Sequence, residues 1–221
     1  METLLSAARL SLLVSLSATA LIGVVGLGLA YLLAFREFRG KHLLDALVSV
    51  PLVLPPTVVG YYLVLLFGRE GWLGGPLYRL THWSAVFTWQ GAALAAFVVA
   101  LPLMVRVSRA AIQSVDRDLI QISATLGKSE WDTAWHVVLP LARQGILAGL
   151  LLSFARALGE FGATLMIAGN IPGKTSTLPL SIYTAFQNGD DTLAQTLALL
   201  LTVISGAVIY FANRWTASRW M

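Results

Sequence analysis

The chain has 221 residues, 57% of them hydrophobic and only 12% charged, with a mean hydropathy of +0.76. Soluble domains carry about 25% charged residues, so a water-covered globule is excluded and an integral membrane protein is expected. The net charge of +4 is scattered at the ends of apolar runs instead of forming the basic face that nucleic acid requires. The lack of cysteine rules out disulfides, thiol catalysis and cysteine-based metal sites.

A helix crossing the hydrocarbon core needs about 20 mostly apolar residues. The first such run covers 10–34. Ala18-Thr19-Ala20 within it looks like a leader cleavage site, but apolar character continues to Phe35, too far for a leader. The second run, 43–67, holds Pro51, Pro55 and Pro56. Proline removes backbone hydrogen bonds that hydrocarbon cannot replace, so a broken or strongly bent span is expected, serving as a gate on a translocation path or as a static kink. The third run, 86–112, contains the single Pro102.

Residues 113–140 are the longest polar stretch. Asp116 is placed to cap a short helix reaching about Leu126, and Gly127 suits its left-handed end. Ser129-x-x-Asp132 reads as a capping box opening a second helix, on which Trp131, Trp135 and Val138 fall on one apolar stripe. Pro140 marks entry to the next span. The two short helices make a knob that either packs its tryptophans beneath the membrane or plugs a groove on a soluble partner.

The fourth run, 141–168, carries Arg156 and Glu160 four residues apart, on one helix face. At 1.5 Å per residue Arg156 lies about 17 Å from Gly145, near mid-bilayer, where an isolated charge costs about 2.5–3.5 kcal/mol. The pair either fixes a neighbouring helix or lines the path. Gly145, Gly149 and the ridge Ala155, Gly159, Ala163 indicate close helix packing. The stretch Ala168–Ser176 (AGNIPGKTS) superficially matches a phosphate-binding loop. It follows a helix instead of a strand, Pro172 removes an amide, and Pro179 is expected to interrupt a following helix, so a turn is expected. Leu178–Phe186 is too short to span and reads as a surface or re-entrant piece, and 193–212 is the fifth run.

No carboxylate pair, histidine cluster or nucleophile constellation stands out. His42, His82 and His136 lie apart near run boundaries, and Asp190-Asp191 reads as a helix cap. Neither an enzyme nor a cofactor or metal is expected. Ten Lys and Arg (Arg36, Arg39, Lys41, Arg106, Arg109, Arg117, Lys128, Arg143, Arg214, Arg219) fall on one side, and Arg9, Arg69, Arg79 and Lys174 on the other. The richer side is expected in the cytoplasm, with the amino terminus outside and the carboxyl terminus inside.

Gly127, then nine residues, then Val137-Val138-Leu139-Pro140 resembles the cytoplasmic loop of ATP-binding-cassette (ABC) importer permeases, whose pattern is Glu-Ala-Ala, three residues, Gly, nine residues, Ile-x-Leu-Pro. The triplet position holds Gln121-Ile122-Ser123. Val50-Pro-Leu-Val-Leu-Pro-Pro56, Phe154–Thr164, Gly169-Asn-Ile-Pro172 and Leu178-Pro179 resemble the molybdate branch, from about Ala7 onward. Sulfate permeases share much of this pattern.

The resemblance implies an all-α, polytopic transmembrane helix bundle of about five spans, like a type I ABC importer permease. It forms a single permease domain over 1–221 with a coupling segment at 113–140. It implies a second copy of the chain, two separate cytoplasmic ATPase subunits, a periplasmic or lipid-anchored oxyanion-binding protein and a prokaryotic inner membrane. Gly127, Ser129, Glu130, Trp131, Asp132 and Trp135 are then expected at the ATPase contact. Pro51, Pro55, Pro56, Arg156 and Glu160 are expected at the translocation path or gate. The substrate is expected to be molybdate, with tungstate or sulfate as variants. A self-contained secondary carrier or channel and a non-transporting membrane adaptor are the competing classes.

Overall fold

The structure is a computed structural model and describes residues 2–217. Eleven α-helices follow one another, with no strand among the described residues: α1 Glu2–Phe35, α2 Lys41–Val53, α3 Pro56–Phe67, α4 Gly74–Thr81, α5 Trp89–Gln113, α6 Arg117–Thr125, α7 Glu130–Thr133, α8 Leu139–Leu158, α9 Gly162–Ala168, α10 Leu178–Gln187 and α11 Asp191–Ala217. A π turn, Ala134–Val138, joins α7 to α8. Among the described residues, four helical runs are long and apolar enough to cross a membrane: Leu4–Phe35, Trp89–Gln113, Glu130–Leu158 and Asp191–Ala212. The fifth candidate is the pair α2–α3, bent by 120° at its break.

The prolines explain that bend. Pro51 lies inside α2, Pro55 precedes α3, and Pro56 occupies its first turn, where a missing N–H leaves no bond unmade. The two halves still meet opposite ends of α5. Asp45 of α2 accepts a 2.8 Å hydrogen bond from Arg109 Nη1 near the end of α5. Val59 and Leu63 of α3 pack in one core with Ala92, Ala93 and Ala96 near its start. At the head of α2, the Lys41 ammonium holds the Glu37 carboxyl below its ordinary range through a 2.5 Å hydrogen bond.

Helices α1, α5 and α8 form the centre. In hydrocarbon there is little hydrophobic drive between helices, so close approach of small residues supplies the packing. Ala92, Ala95, Ala96 and Ala100 of α5 are fully buried. A Cβ on Gly26 would lie 2.7 Å from Met104 Cγ, and one on Gly145 would lie 2.3 Å from Ala111 Cβ. The Gly145/Gly149 stripe therefore serves the α5–α8 contact within this chain. Val14, Ala18 and Ile22 of α1 join the same core.

Three expectations need correction. The run 141–168 is not one helix: α8 ends at Leu158 and α9 begins at Gly162, so the ridge Ala155, Gly159, Ala163 does not share one face. A helix does open after the 168–176 turn, because Pro179 falls in the first turn of α10, where its lack of an N–H is harmless. Gly74-Gly75-Pro76 starts the unanticipated α4 for the same reason. Asp190 acts as the expected cap, accepting from the Leu193 amide at 3.0 Å.

At Gly60 of α3 a Cβ would lie 2.7–2.8 Å from Met166 Cβ and the Ala163 backbone on α9, whereas nothing approaches Gly28 within 4 Å. Gly60→Val is therefore expected to destabilise the protein by about 1–3 kcal/mol through overpacking. Gly28→Ala is expected to be neutral or slightly stabilising. Thermal melts of the two variants in detergent check this, and equal melting temperatures would refute the close α3–α9 contact.

Candidate functional site

Two places gather the residues singled out above. The first is the polar knob. Asp116 Oδ1 accepts from the Asp118 amide at 2.9 Å and opens α6. Gly127, at φ +74°, ends it in a Schellman motif: its N–H bonds the Ala124 carbonyl at 3.0 Å, and the Lys128 N–H bonds that of Ser123 at 3.2 Å. Ser129 Oγ then accepts from the Asp132 amide at 3.1 Å and donates to Asp132 Oδ2 at 2.8 Å. In the usual capping box a Glu at this place reaches the cap's amide. The shorter Asp132 meets the hydroxyl instead.

Inside the knob the Ser123 and Thr133 hydroxyls meet at 2.8 Å, both buried, and tie α6 to α7. Outside, Arg36 at the end of α1 pairs with Glu130. Trp131 and Trp135 are 74% and 60% exposed, while Val138 is 1% exposed within a second core beneath α1 and α5. The expected single stripe is thus divided, and the π turn divides it. Pro140 offers no N–H to the His136 carbonyl and its ring crowds that carbonyl. The helix widens there, and the Leu139 N–H reaches back five residues to Ala134. The knob's second helix and the following span consequently form one continuous helical rod, Glu130–Leu158.

The second place lies at the far end of that rod. Glu160 sits in the break between α8 and α9 with its side chain only 2% exposed. Its Oε2 accepts from Arg156 Nη1 at 2.8 Å, and its Oε1 accepts from the Ala163 amide at 2.9 Å. It is thus both an ion-pair partner and the cap of α9. Arg156 keeps 34% of its side chain exposed. A Cβ on Gly162 would lie 3.2 Å from Pro56 Cβ and from the Thr57 backbone nitrogen. The break after Glu160 therefore abuts the break at Pro55–Pro56, and the structure brings these candidate residues together. Pro51 lies a turn away inside α2.

The phosphate-loop look-alike is closed on itself. The Ile171 carbonyl takes the N–H groups of Lys174, Thr175 and Ser176, and the buried Thr175 hydroxyl accepts from the Ile171 amide at 2.9 Å. Those amides are committed to the turn. No group of three metal-ligating side chains exists among the described residues.

Residues 3–221 match the family of binding-protein-dependent transport system inner membrane components. The chain belongs to that family. This permease is 40% identical over 215 residues to the molybdenum transport system permease protein ModB of Haemophilus influenzae, covering 97% of this chain and 94% of the relative. It is also 40% identical over 204 residues to the sulfate transport system permease protein CysW of Synechococcus elongatus, covering 92% of this chain and 71% of that one. Its fold matches the permease of the MetNI methionine ABC transporter in an inward-facing form, with a TM-score of 0.76 at 17% identity over 99% of this chain and 96% of that one. It also matches a bacterial ABC transporter chain involved in alginate import, with a TM-score of 0.81 at 15% identity over 100% of this chain and 81% of that one. The permease is thus a multi-pass inner-membrane protein with the type I ABC importer fold.

Sequence reasoning missed Ser123, Thr133 and Arg36 as contributors to the knob. Ser123 falls in the third place of the Glu-Ala-Ala triplet, where a hydroxyl in place of a methyl provides the link to Thr133. It also missed the capping role of Glu160, because hydropathy continues unbroken across Gly159.

Replacing Arg156 by Leu leaves the Glu160 carboxylate buried and unpaired, and is expected to destabilise the permease by about 3 kcal/mol, at the low end for breaking buried pairs. Arg156→Leu/Glu160→Leu is expected to recover part of that loss, short of wild type by about 1–3 kcal/mol for the uncapped Ala163 amide. A double-mutant cycle of melting curves measures the coupling, and strict additivity would contradict the geometry. Normal transport by Arg156→Gln/Glu160→Gln would remove the pair from the path.

Proposed function

We propose that this permease is the membrane subunit of an oxyanion importer, with molybdate as its substrate. Two copies form the path, two separate ATPase subunits grip the knobs, and a periplasmic or lipid-anchored binding protein delivers the anion. The observation that carries the reading is the pair Trp131 and Trp135. They stand exposed on a knob whose inner face is already pinned through Ser123, Thr133 and Val138. Large aromatics in that setting are the anchors that interfaces use. Gly127, Ser129, Glu130 and Asp132 shape the same surface, and the one stretch that looks like a nucleotide loop, 168–176, is closed on itself, so a separate ATPase drives transport in this reading.

The mechanism is alternating access. Closure of the ATPases displaces the knob, which faces the cytoplasm in this reading, with the amino terminus outside and the carboxyl terminus inside. The continuous rod carries that displacement to the double break at Pro55–Pro56 and Gly159–Gly162, while the Arg36–Glu130 pair couples α1 to the movement. Opening outward admits anion from the binding protein, and hydrolysis returns the path to the inward form. Arg156, the cation deepest in the membrane by sequence, is held by Glu160, so no dedicated anion cage exists at that point and selectivity falls to the binding protein. Molybdate is favoured by the relatives named for molybdenum transport. The CysW relative supports sulfate as the second reading.

The chain has no cysteine, so a single Cys at Ser129 or Glu130 gives a clean cross-linking probe. Cross-links to an ATPase subunit are expected, and that ATPase should co-purify in a two-to-two ratio. Trp131→Ala/Trp135→Ala is expected to weaken its retention roughly thirtyfold or more, from about 2 kcal/mol lost at one such anchor. Unchanged retention would reassign the tryptophans to the lipid headgroups. Gly127→Val strains a left-handed position by about 1–2 kcal/mol. It is expected to leave hydrolysis intact while abolishing uptake, and full uptake would remove Gly127 as the corner. Stimulation of the reconstituted complex by molybdate, tungstate or sulfate decides the substrate.

A further inference from the structure

At the end of the bundle opposite the knob, α1, the start of α5 and the 169–177 turn enclose an open cavity of about 610 Å³. Arg9 and Lys174 both line it, both are exposed, and neither forms an ion pair among the described residues. No acidic side chain lines it among the described residues. Its remaining wall includes Leu5, Leu10, Leu13 and Trp89. Nothing in the transport reading uses this place.

The level of these residues is informative. Arg9 lies in the second turn of the apolar span that starts at Leu4, and Trp89 is the first residue of α5 and of its span. Both line the one cavity near the starts of their spans, toward the depth at which Trp and basic side chains meet lipid headgroups. Leu13 lies one turn deeper, at acyl-chain level. Two cations and an apolar wall that includes an indole match the parts of one phospholipid: phosphate, glycerol region and chain. The volume sits within the range of about 300–1,000 Å³ for organic-ligand sites, far more than a lone tetrahedral oxyanion fills.

We infer that this cavity is a binding site for an anionic phospholipid, its phosphate held by Arg9 and Lys174 and its first acyl carbons laid along Leu10 and Leu13. The shared chemistry is a phosphate-like oxyanion, so the test must separate lipid from free anion.

The permease with its ATPase is purified in detergent and supplied with phosphatidylglycerol, with phosphatidylcholine of the same chains, or with sodium molybdate alone. Retained lipid is read by native mass spectrometry, and stability by thermal melting. Wild type is expected to retain phosphatidylglycerol in several-fold excess over phosphatidylcholine and to melt several degrees higher with it, because a ligand of the folded state raises stability. Arg9→Gln/Lys174→Gln should lose both differences while melting normally in phosphatidylcholine. Arg79→Gln, a basic residue outside the cavity, should keep them. If the double variant does not fold, the wild-type excess must still collapse at high salt, where screening weakens the contact, and Arg9→Lys/Lys174→Arg must preserve it. An undiminished phosphatidylglycerol preference in a folded Arg9→Gln/Lys174→Gln protein overturns the site. So does equal protection by molybdate alone, or a double variant that loses only its hold on the binding protein.

Discussion

The Glu160 carboxylate is the interaction on which the rest of the bundle turns. A helix that stops inside hydrocarbon leaves amides and carbonyls with no water to bond. Between α8 and α9 that demand is met by one buried side chain, which takes the Ala163 amide with one oxygen and Arg156 with the other. The charge that caps the helix is thus neutralised by the helix before it. Without such a device the chain would have to remain helical through 159–161, and α9 would lose the direction that sets it against α3. The small residues follow from this placement. Gly60 and Gly162 let the α3 and α9 backbones touch where both spans are interrupted.

The break at Pro55–Pro56 and the break after Glu160 therefore form one structural unit, although over a hundred residues separate them. Each leaves a helix start at the contact, and each helix start is finished locally: by proline in α3, which has no amide to satisfy, and by a carboxylate in α9. A bundle built this way has a seam of short helices beside the long rods α1, α5 and α8. Short helices pivot at their ends more readily than long ones bend, and in the proposed transport cycle this seam is where displacement arriving along the rod has somewhere to go.

Much of this was legible in the amino-acid order, for identifiable reasons. The apolar runs follow from the length a bilayer demands, and the bend in the second run from three prolines in six positions. Asp116, Gly127 and Ser129 announced the knob because capping is local chemistry. The features that escaped are set by distant partners. Hydropathy averaged over a window does not register Gly159–Phe161, where a buried acid and a glycine open an apolar stretch without proline. The Ser123–Thr133 link depends on how α6 folds back on α7, and the Arg36–Glu130 pair joins positions 94 apart. Helix α4 was hidden because Gly-Gly-Pro usually signals a turn, yet all three residues suit a first helical turn. The division of the Trp131, Trp135, Val138 stripe escaped because a perfect 3.6-residue period was assumed through Ala134–Val138, where the π turn forced by Pro140 falls.

That last departure has a consequence for how such knobs diversify. A π turn holds one residue more than the α turn it replaces, so it acts as a phase shifter between the tryptophan-bearing tip and the span behind it. Gaining or losing that single residue would swing the tip through about 100° of azimuth without disturbing the hydrocarbon-crossing segment. A lineage could thereby re-aim the exposed tryptophan face in one insertion or deletion, leaving the membrane architecture untouched.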